Sequence, residues 1–309
     1  MALTRNRLLL ASTEGTYGTA ATIAGTDALL VSNLEVSPLQ VELLDRELVQ
    51  PYLGNSEKVV SQRMVQVSFE VELAGSGAAG TAPRWGRILR ACGFAEAIVA
   101  TTSVTYTPVS TGFSSVTLDF NNDGTRHLVT GARGTATINL NTGEIPKIAF
   151  EMMGIYNAPT ATARPTPTFA NQANPVVVNA ANTTGVSVFS FNACLESFSL
   201  ALNNETPFRQ LAGCTQQVMI TQRAPSGELS VEAPELGTKN FFTDVSGQAL
   251  GAVNWQHGQT AGNIVTFAAP NCNLDSPSYA DSDGIQMLSL PFMPVPTGNG
   301  NNEFTLTLT

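Results

Sequence analysis

The sequence predicts a mainly β protein built from two tandem copies of one unit, and three observations carry that prediction. Gly, Pro, Thr, Ser, Asn and Val are plentiful, charged residues make up only 13% of the chain, and long runs of helical apolar spacing are few. Such a composition favours short strands joined by turns. A length of 309 residues exceeds the usual single core, so two units are expected, each large enough to bury a core without staples. Finally, "SQRMVQVSFEVE" at 61–72 is echoed by "TQRAPSGELSVE" at 221–232, where Gln62, Arg63, Val71 and Glu72 return as Gln222, Arg223, Val231 and Glu232.

Taken in chain order, the N-terminal "MALTRNRLLLAS" has two arginines before an apolar run too short for a signal-peptide core or a membrane span, so a chain kept in a cytoplasm is expected. The segment 40–60, "QVELLDRELVQPYLGNSEKVV", sets Leu43, Leu44, Leu48, Tyr52 and Leu53 among charges. A long loop is usually functional or disordered, and the apolar content argues against disorder, which leaves a surface for a partner or an extra hairpin. A shorter version, "NNETPFRQLAGCTQQVMIT", follows in the second copy. Along 62–73, Gln62, Met64, Gln66, Ser68, Glu70 and Glu72 alternate with Arg63, Val65, Val67, Phe69, Val71 and Leu73. That is a strand with one packed and one wet face. The second copy repeats it, with Glu228, Ser230 and Glu232 opposite Leu229, Val231 and Ala233; Pro225 and Gly227 predict a bulge or a later strand start there.

Each copy then carries a short helix. "APRWGRILRACGF" places Pro83 in a first turn, Trp85, Ile88, Leu89 and Cys92 on one face and Gly93 at the stop. "ELGTKNFFTDVSG" offers Thr238 as N-cap, Phe241, Phe242 and Val245 on one face, and Gly247 at the end. Three further phrases recur at nearly one offset: "SVTYTP" (103–108) as "IVTFAAP" (264–270), "NDGTRHLV" (122–129) as "SDGIQMLS" (282–289), and "GEIPKIAFEM" (143–152) as "NEFTLTLT" (302–309). Four phrases in one order indicate tandem duplication. Between the copies, the proline-rich 158–175 reads as a stiff, extended linker. Domains at 1–157 and 176–309 follow.

Little in the sequence supports catalysis. The four cysteines are far apart without a CxxC pair, which favours neither zinc nor a disulfide framework; Cys92 and Cys194, among apolar neighbours, are expected to be buried free thiols. Only His127 and His257 are available for a metal site or a nucleophilic triad, and no nucleophile elbow, phosphate loop or zinc-protease motif is present. "NNDGTR" and "DSDG" lack the downstream glutamate of a calcium loop and read as hairpin turns. Glu70 and Glu72 share a face as glycosidase carboxylates do, but solvated acidic faces are far commoner. No catalytic, metal or cofactor-binding residues are therefore assigned. A net charge of −9 and a pI near 4.7, without a basic stripe, exclude tight nucleic-acid binding.

The phrases "STEGTYGTAATIAGTDALLVSNLEVSPL", "VSFEVELAGSGAAGTAPRWGRILRACGF" and "GARGTATINLNTGEIPKIAFEMMGIY" resemble the major tail proteins, or tail tube proteins, of long-tailed, siphovirus-like bacteriophages. The resemblance covers most of the first copy, and the second follows by the repeat. It implies two tandem β-sandwich tube domains, each with a flanking α-helix, whose inner sheets join into a β-barrel ring. Rings stack into a tail that conducts double-stranded DNA into the host. Single-domain members close with six subunits, so a duplicated chain would give a pseudo-sixfold ring as a homotrimer. Glu70, Glu72, Glu228 and Glu232 would then face the lumen, and Leu43, Leu44, Leu48, Tyr52 and Leu53 would belong to a ring-stacking loop. Implied partners are the chain itself, a tape-measure protein, tail terminator or tip proteins and passing DNA, in a virion tail assembled in the host cytoplasm, with no cofactor and no membrane insertion. The competing reading is a two-domain β-sandwich adhesin or carbohydrate-binding module of a phage tail, for which 7% aromatic residues and two tryptophans offer few sugar platforms.

Overall fold

The computed structural model describes residues 5–309. In the first half, β1 (Arg7–Thr13), β2 (Ala28–Leu29), β3 (Ser32–Leu44) and β4 (Val59–Glu72) precede helix α1 (Gly86–Ala91). They are followed by β5 (Phe94–Val99), β6 (Ser103–Pro108), β7 (Val116–Asn122), β8 (Thr125–Asn141), β9 (Lys147–Tyr156) and β10 (Thr160–Ala161). The second half opens with β11 (Thr183–Val188), β12 (Phe191–Asn192), β13 (Leu195–Ala201), β14 (Asn204–Glu205), β15 (Phe208–Arg209), β16 (Gln217–Val218), β17 (Gln222–Arg223) and β18 (Ser226–Glu232). Helix α2 (Phe241–Ser246) then leads to β19 (Leu250–His257), β20 (Val265–Leu274), β21 (Ser278–Ser282), β22 (Ile285–Pro294) and β23 (Thr305–Leu308).

Two layers result, as the alternation along β4 requires: Val65, Val67, Phe69 and Val71 are buried while Gln66 and Glu72 are exposed. One layer is a long antiparallel sheet in the order β3–β4–β9–β8–β13–β18–β22–β21. The other covers its apolar face with two groups, β2–β1–β7–β8 and β11–β19–β20–β23–β6–β5. Strands β8 and β20 serve both layers. The early residues of β8 pair with β7 and its last five with β13; β20 likewise pairs with β19 and β23 before turning Cys272–Leu274 onto β22.

Among the described residues, hydrogen-bond ladders cross from one half to the other at two places, β8 to β13 and β6 to β23. A single apolar core runs through both halves. Its aromatic thread passes from Phe94 to Phe304 to Phe267, with ring centroids 5.7 Å apart at each step, and on to Trp255 and Phe198. The proline-rich segment lies along the first half, where Thr168 N–H donates to Gly25 O and Ala173 N–H to Gly75 O.

The repeat holds up to the helices and then changes register. β4 lies between β3 and β9, with Phe69 opposite Phe150, and β18 lies between β13 and β22, with Leu229 opposite Leu290. The structural counterpart of β9 is therefore β22, and that of the end of β8 is β21. The echo of "GEIPKIAFEM" in "NEFTLTLT" does not survive this comparison, because β23 sits in the covering layer between β20 and β6. Asp123-Gly124 and Asp283-Gly284 match because both are hairpin turns with positive φ at both residues, the conformation that Asp-Gly adopts readily. Pro225 acts as expected: β18 begins one residue after it. Gly227 is required by packing, since a Cβ there would lie 2.5 Å from the Phe292 ring.

Both helices form in the expected segments, although α1 begins only at Gly86, with Trp85 as its N-cap and Pro83 ahead of the first turn. α1 buries Ile88 and Leu89 beside Trp85, whose indole N–H donates to Ala74 O at 2.9 Å, and Gly93 follows with φ of 89°. At α2 the N-cap is Asn240 rather than Thr238: the Asn240 side chain accepts from Thr243 N–H, the bond that a cap must make. Cys194 also departs from expectation. It is exposed, whereas Cys92 and Cys272 are buried, because Cys194 immediately precedes β13 at the sheet surface. Phe198, 1% exposed, packs on Trp255, Phe267 and Phe292 with centroids 5.2–5.8 Å away. Phe198→Ala is expected to cost about 3–5 kcal/mol, measured by denaturant unfolding with an unchanged m-value.

Candidate functional site

The wet face of the long sheet brings the predicted carboxylates together. Glu70 and Glu72 of β4 and Glu228 and Glu232 of β18 project from that one face, opposite the buried Phe69, Phe150, Ile138, Phe198 and Leu229 of the strands that carry and join them. Glu35 and Glu151 lie on the same face, each opposite Ser68. Lys147 answers them with an ion pair to Glu70 at 2.8 Å. The bond from Lys147 holds the Glu70 carboxyl below its ordinary range, and the same bond raises the Lys147 ammonium.

In the register of the repeat, Ser230 stands where the first half has Glu70. In the structure the carboxylate has crossed to the neighbouring strand. Ser230 Oγ donates to Glu196 at 2.6 Å, which lowers the Glu196 pKa, while in the first half Ser32 Oγ stands 3.5 Å from Glu70. Ser32 and Glu196 lie at corresponding places, at the register shift near the start of the strand beside β4 or β18. Glu196 went unnoticed because the bulge that turns it onto this face has no signature in "CLESFSL".

Leu43 and Leu44 belong to a two-stranded arm, since β3 and β4 stay paired from Val41 opposite Arg63 out to Leu44 opposite Val59. Only 45–58 forms the loop at its tip, cross-braced by Lys58 on Asp45 at 2.9 Å. Leu43, Leu44, Leu48, Tyr52 and Leu53 are all exposed, as are Val41 and Val60. The shorter arm of the second half behaves differently. It folds back on the first half, where Val218 and Ile220 are buried, Val218 N–H donates to Tyr17 Oη at 2.5 Å and Arg133 donates to Val218 O at 2.9 Å. Asn204 completes the contact through Cys92 O at 2.7 Å and Gly134 O at 3.0 Å. The Arg133 guanidinium lies 4.6 Å from the centre of the Tyr17 ring.

The histidines are packing residues. His257 is buried between Thr183 Oγ1 at 2.9 Å and Val176 O at 3.1 Å, and His127 stacks on Phe120; burial lowers both pKa values. Among the described residues no group of three His, Cys, Asp or Glu side chains converges as metal ligands would, and no helix is long and apolar enough to cross a membrane.

The Glu70–Lys147 pair sets a pH window. Glu70 is depressed, so its contribution is present above the unfolded carboxylate range and lost as pH falls through its folded value; Lys147 is raised, so its contribution is lost as pH rises through its own. In Lys147→Met, a carboxyl-carbon NMR titration should show Glu70 moving up, and the partly exposed pair should cost less than about 1 kcal/mol.

A family model described as phage tail tube protein matches residues 4–294. No curated protein matches the chain. The family match runs through both halves, both arms and the whole of the acidic face, and on that span the chain belongs to the phage tail tube protein family.

Proposed function

We propose that this chain closes head to tail into homotrimeric, pseudo-sixfold rings that stack into the tube of a phage tail and conduct double-stranded DNA into the host. The observation that carries the reading is the long sheet: two four-strand panels, one from each half, form a continuous wall with an apolar back and an acidic front. Three copies supply six panels. Glu70, Glu72, Glu228 and Glu232, joined by Glu196, face the lumen. Duplex DNA carries a charge every ~1.7 Å, and carboxylates felt over a Debye length of ~8 Å keep its phosphates from settling on the wall. The exposed tip 45–58, with Leu48, Tyr52 and Leu53, meets the next ring. A tape-measure protein inside the tube and terminator or tip proteins at its ends complete the partners, and assembly takes place in the host cytoplasm. The carbohydrate-binding alternative is disfavoured by the placement of Trp85 and Trp255 in the core, where neither can serve as a sugar platform.

Purified protein at raised concentration should show rings or tubes with a central channel in negative-stain micrographs; a monodisperse monomer at every concentration would overturn the reading. A charge test follows on the same material. Tubes of the double variant Glu72→Lys, Glu232→Lys should retain duplex DNA in a sedimentation assay at low salt and release it as salt rises, whereas wild-type tubes should retain none.

A further inference from the structure

The long sheet has two edges, β3 on one side and β21 on the other; among the described residues β3 pairs only with β4, and β21 only with β22. A row of unpaired backbone groups on a long strand invites another strand. Inside the chain the same two kinds of edge already meet. β8 neighbours β9 as β21 neighbours β22, β13 neighbours β18 as β3 neighbours β4, and β8 is hydrogen-bonded to β13. We infer that β21 of one copy pairs antiparallel with β3 of the next in the register of the internal β8–β13 junction, so that the seam between copies repeats the seam within one. The inference rests on the ring reading above and deepens it.

The internal ladder fixes the residues. Thr137 lies opposite Ala201 and Ile138 opposite Leu200. Carried across by the neighbouring strands, this sets Ser278 against Ser37, Tyr279 against Val36 and Ala280 against Glu35. Side-chain faces agree: Ile138 and Leu200 point into the core, Val36 packs against the core, and the Tyr279 ring lies 5.7 Å from that of Phe242 of α2 on that same side. A slip of one residue would set Val36 opposite a residue of the acidic face and mismatch the two pleats.

Two prolines support the register independently. In the internal junction the next pair outward is Ala136 with Leu202, where Leu202 N–H donates to Ala136 O at 3.0 Å. The corresponding pair at the proposed seam is Pro277 with Pro38. Neither has an N–H, so the ladder stops at one level on both strands and strands no donor. At the other end, Asp281 comes opposite Leu34, whose carbonyl lies beside the exposed Arg7 guanidinium, which places opposite charges at the junction.

Beyond Pro38 the arm follows its shorter counterpart over the neighbouring copy. Val218 and Ile220 of the short arm are 0% and 8% exposed against the first half, whereas Val41, Leu43 and Val60 at the base of the long arm are 41%, 46% and 41% exposed. The base of the arm therefore clasps a neighbour within the ring. Its tip remains free for the ring above.

The test is a disulfide across the seam. In a Cys194→Ser, Cys214→Ser background, which removes the exposed thiols, Ser37→Cys with Ser278→Cys should form covalent multimers on oxidation of assembled tubes, ending at a closed trimer on a non-reducing gel. Ser37→Cys with Ser282→Cys, displaced by about 13 Å along the strand, should stay monomeric on that gel because a disulfide cannot span such a gap. Tubes without cross-links in the first variant, or equal cross-linking in both, would overturn the seam and leave the ring reading standing. Wild-type protein that forms no ring or tube defeats both. Should the cysteine variants fail to assemble, hydrogen exchange on wild-type protein decides: amides at 33–37 and 278–282 should exchange more than tenfold more slowly in tubes than in free subunits, and unchanged rates would refute the pairing.

Discussion

Pairing between the last five residues of β8 and β13 is the interaction on which the rest of this structure depends. A sheet with one apolar and one acidic face cannot be buried on both sides, and each half alone would present open edges as templates for aggregation. Joining Thr137–Asn141 to Ser197–Ala201 consumes one edge from each half and makes a single wall of eight strands. Only a strand as long as β8, with 17 residues, can do this while its early residues stay in the covering layer beside β7. The short arm then locks the joint: the carbonyls of Cys92 and Gly134, from separate elements of the first half, accept from Asn204.

Much of this arrangement is legible in the sequence, and the limits are physical. Period-two alternation survives wherever one face is packed and the other wet, so β4, β9 and β18 and the carboxylates upon them could be read directly. The same holds for α1, whose Trp85, Ile88, Leu89 and Cys92 spacing and terminal Gly93 are local signals. What could not be read depends on partners distant in the chain. The echo at 302–309 repeats a pattern of alternating residues, but strand order is decided by which neighbour completes a ladder, and β23 finds β6 and β20 instead of β18. Glu196 reaches the acidic face through a bulge, a one-residue offset invisible to a count of alternation. Cys194 lies among apolar letters yet stands in the open, because burial follows the layer a residue faces and not the company it keeps in sequence.

Exchange of Ser32 and Glu70 for Glu196 and Ser230 shows what has been held constant between the halves. Individual positions drifted, while a hydroxyl beside a carboxylate persisted at the same corner of each panel. A charge kept through a change of strand argues that the face, and not the residue, carries the constraint. Ion pairing is a minor part of it. Lys147 neutralises Glu70 locally, but Glu72, Glu151, Glu228 and Glu232 remain exposed, where water solvates them at little cost and mutual repulsion is weakened by salt. Beyond the Glu70–Lys147 pair, such exposed charges contribute little to folding. In the proposed ring the cost and the use of this face would both arise as the wall curves around DNA: desolvation would be avoided so long as the lumen stays wet, and repulsion would act on the phosphates passing through. The fold tolerates this acidic surplus, part of a net charge of −9 over the chain, because the long sheet keeps these side chains on its solvated side, and in the proposed tube that side would be the channel wall.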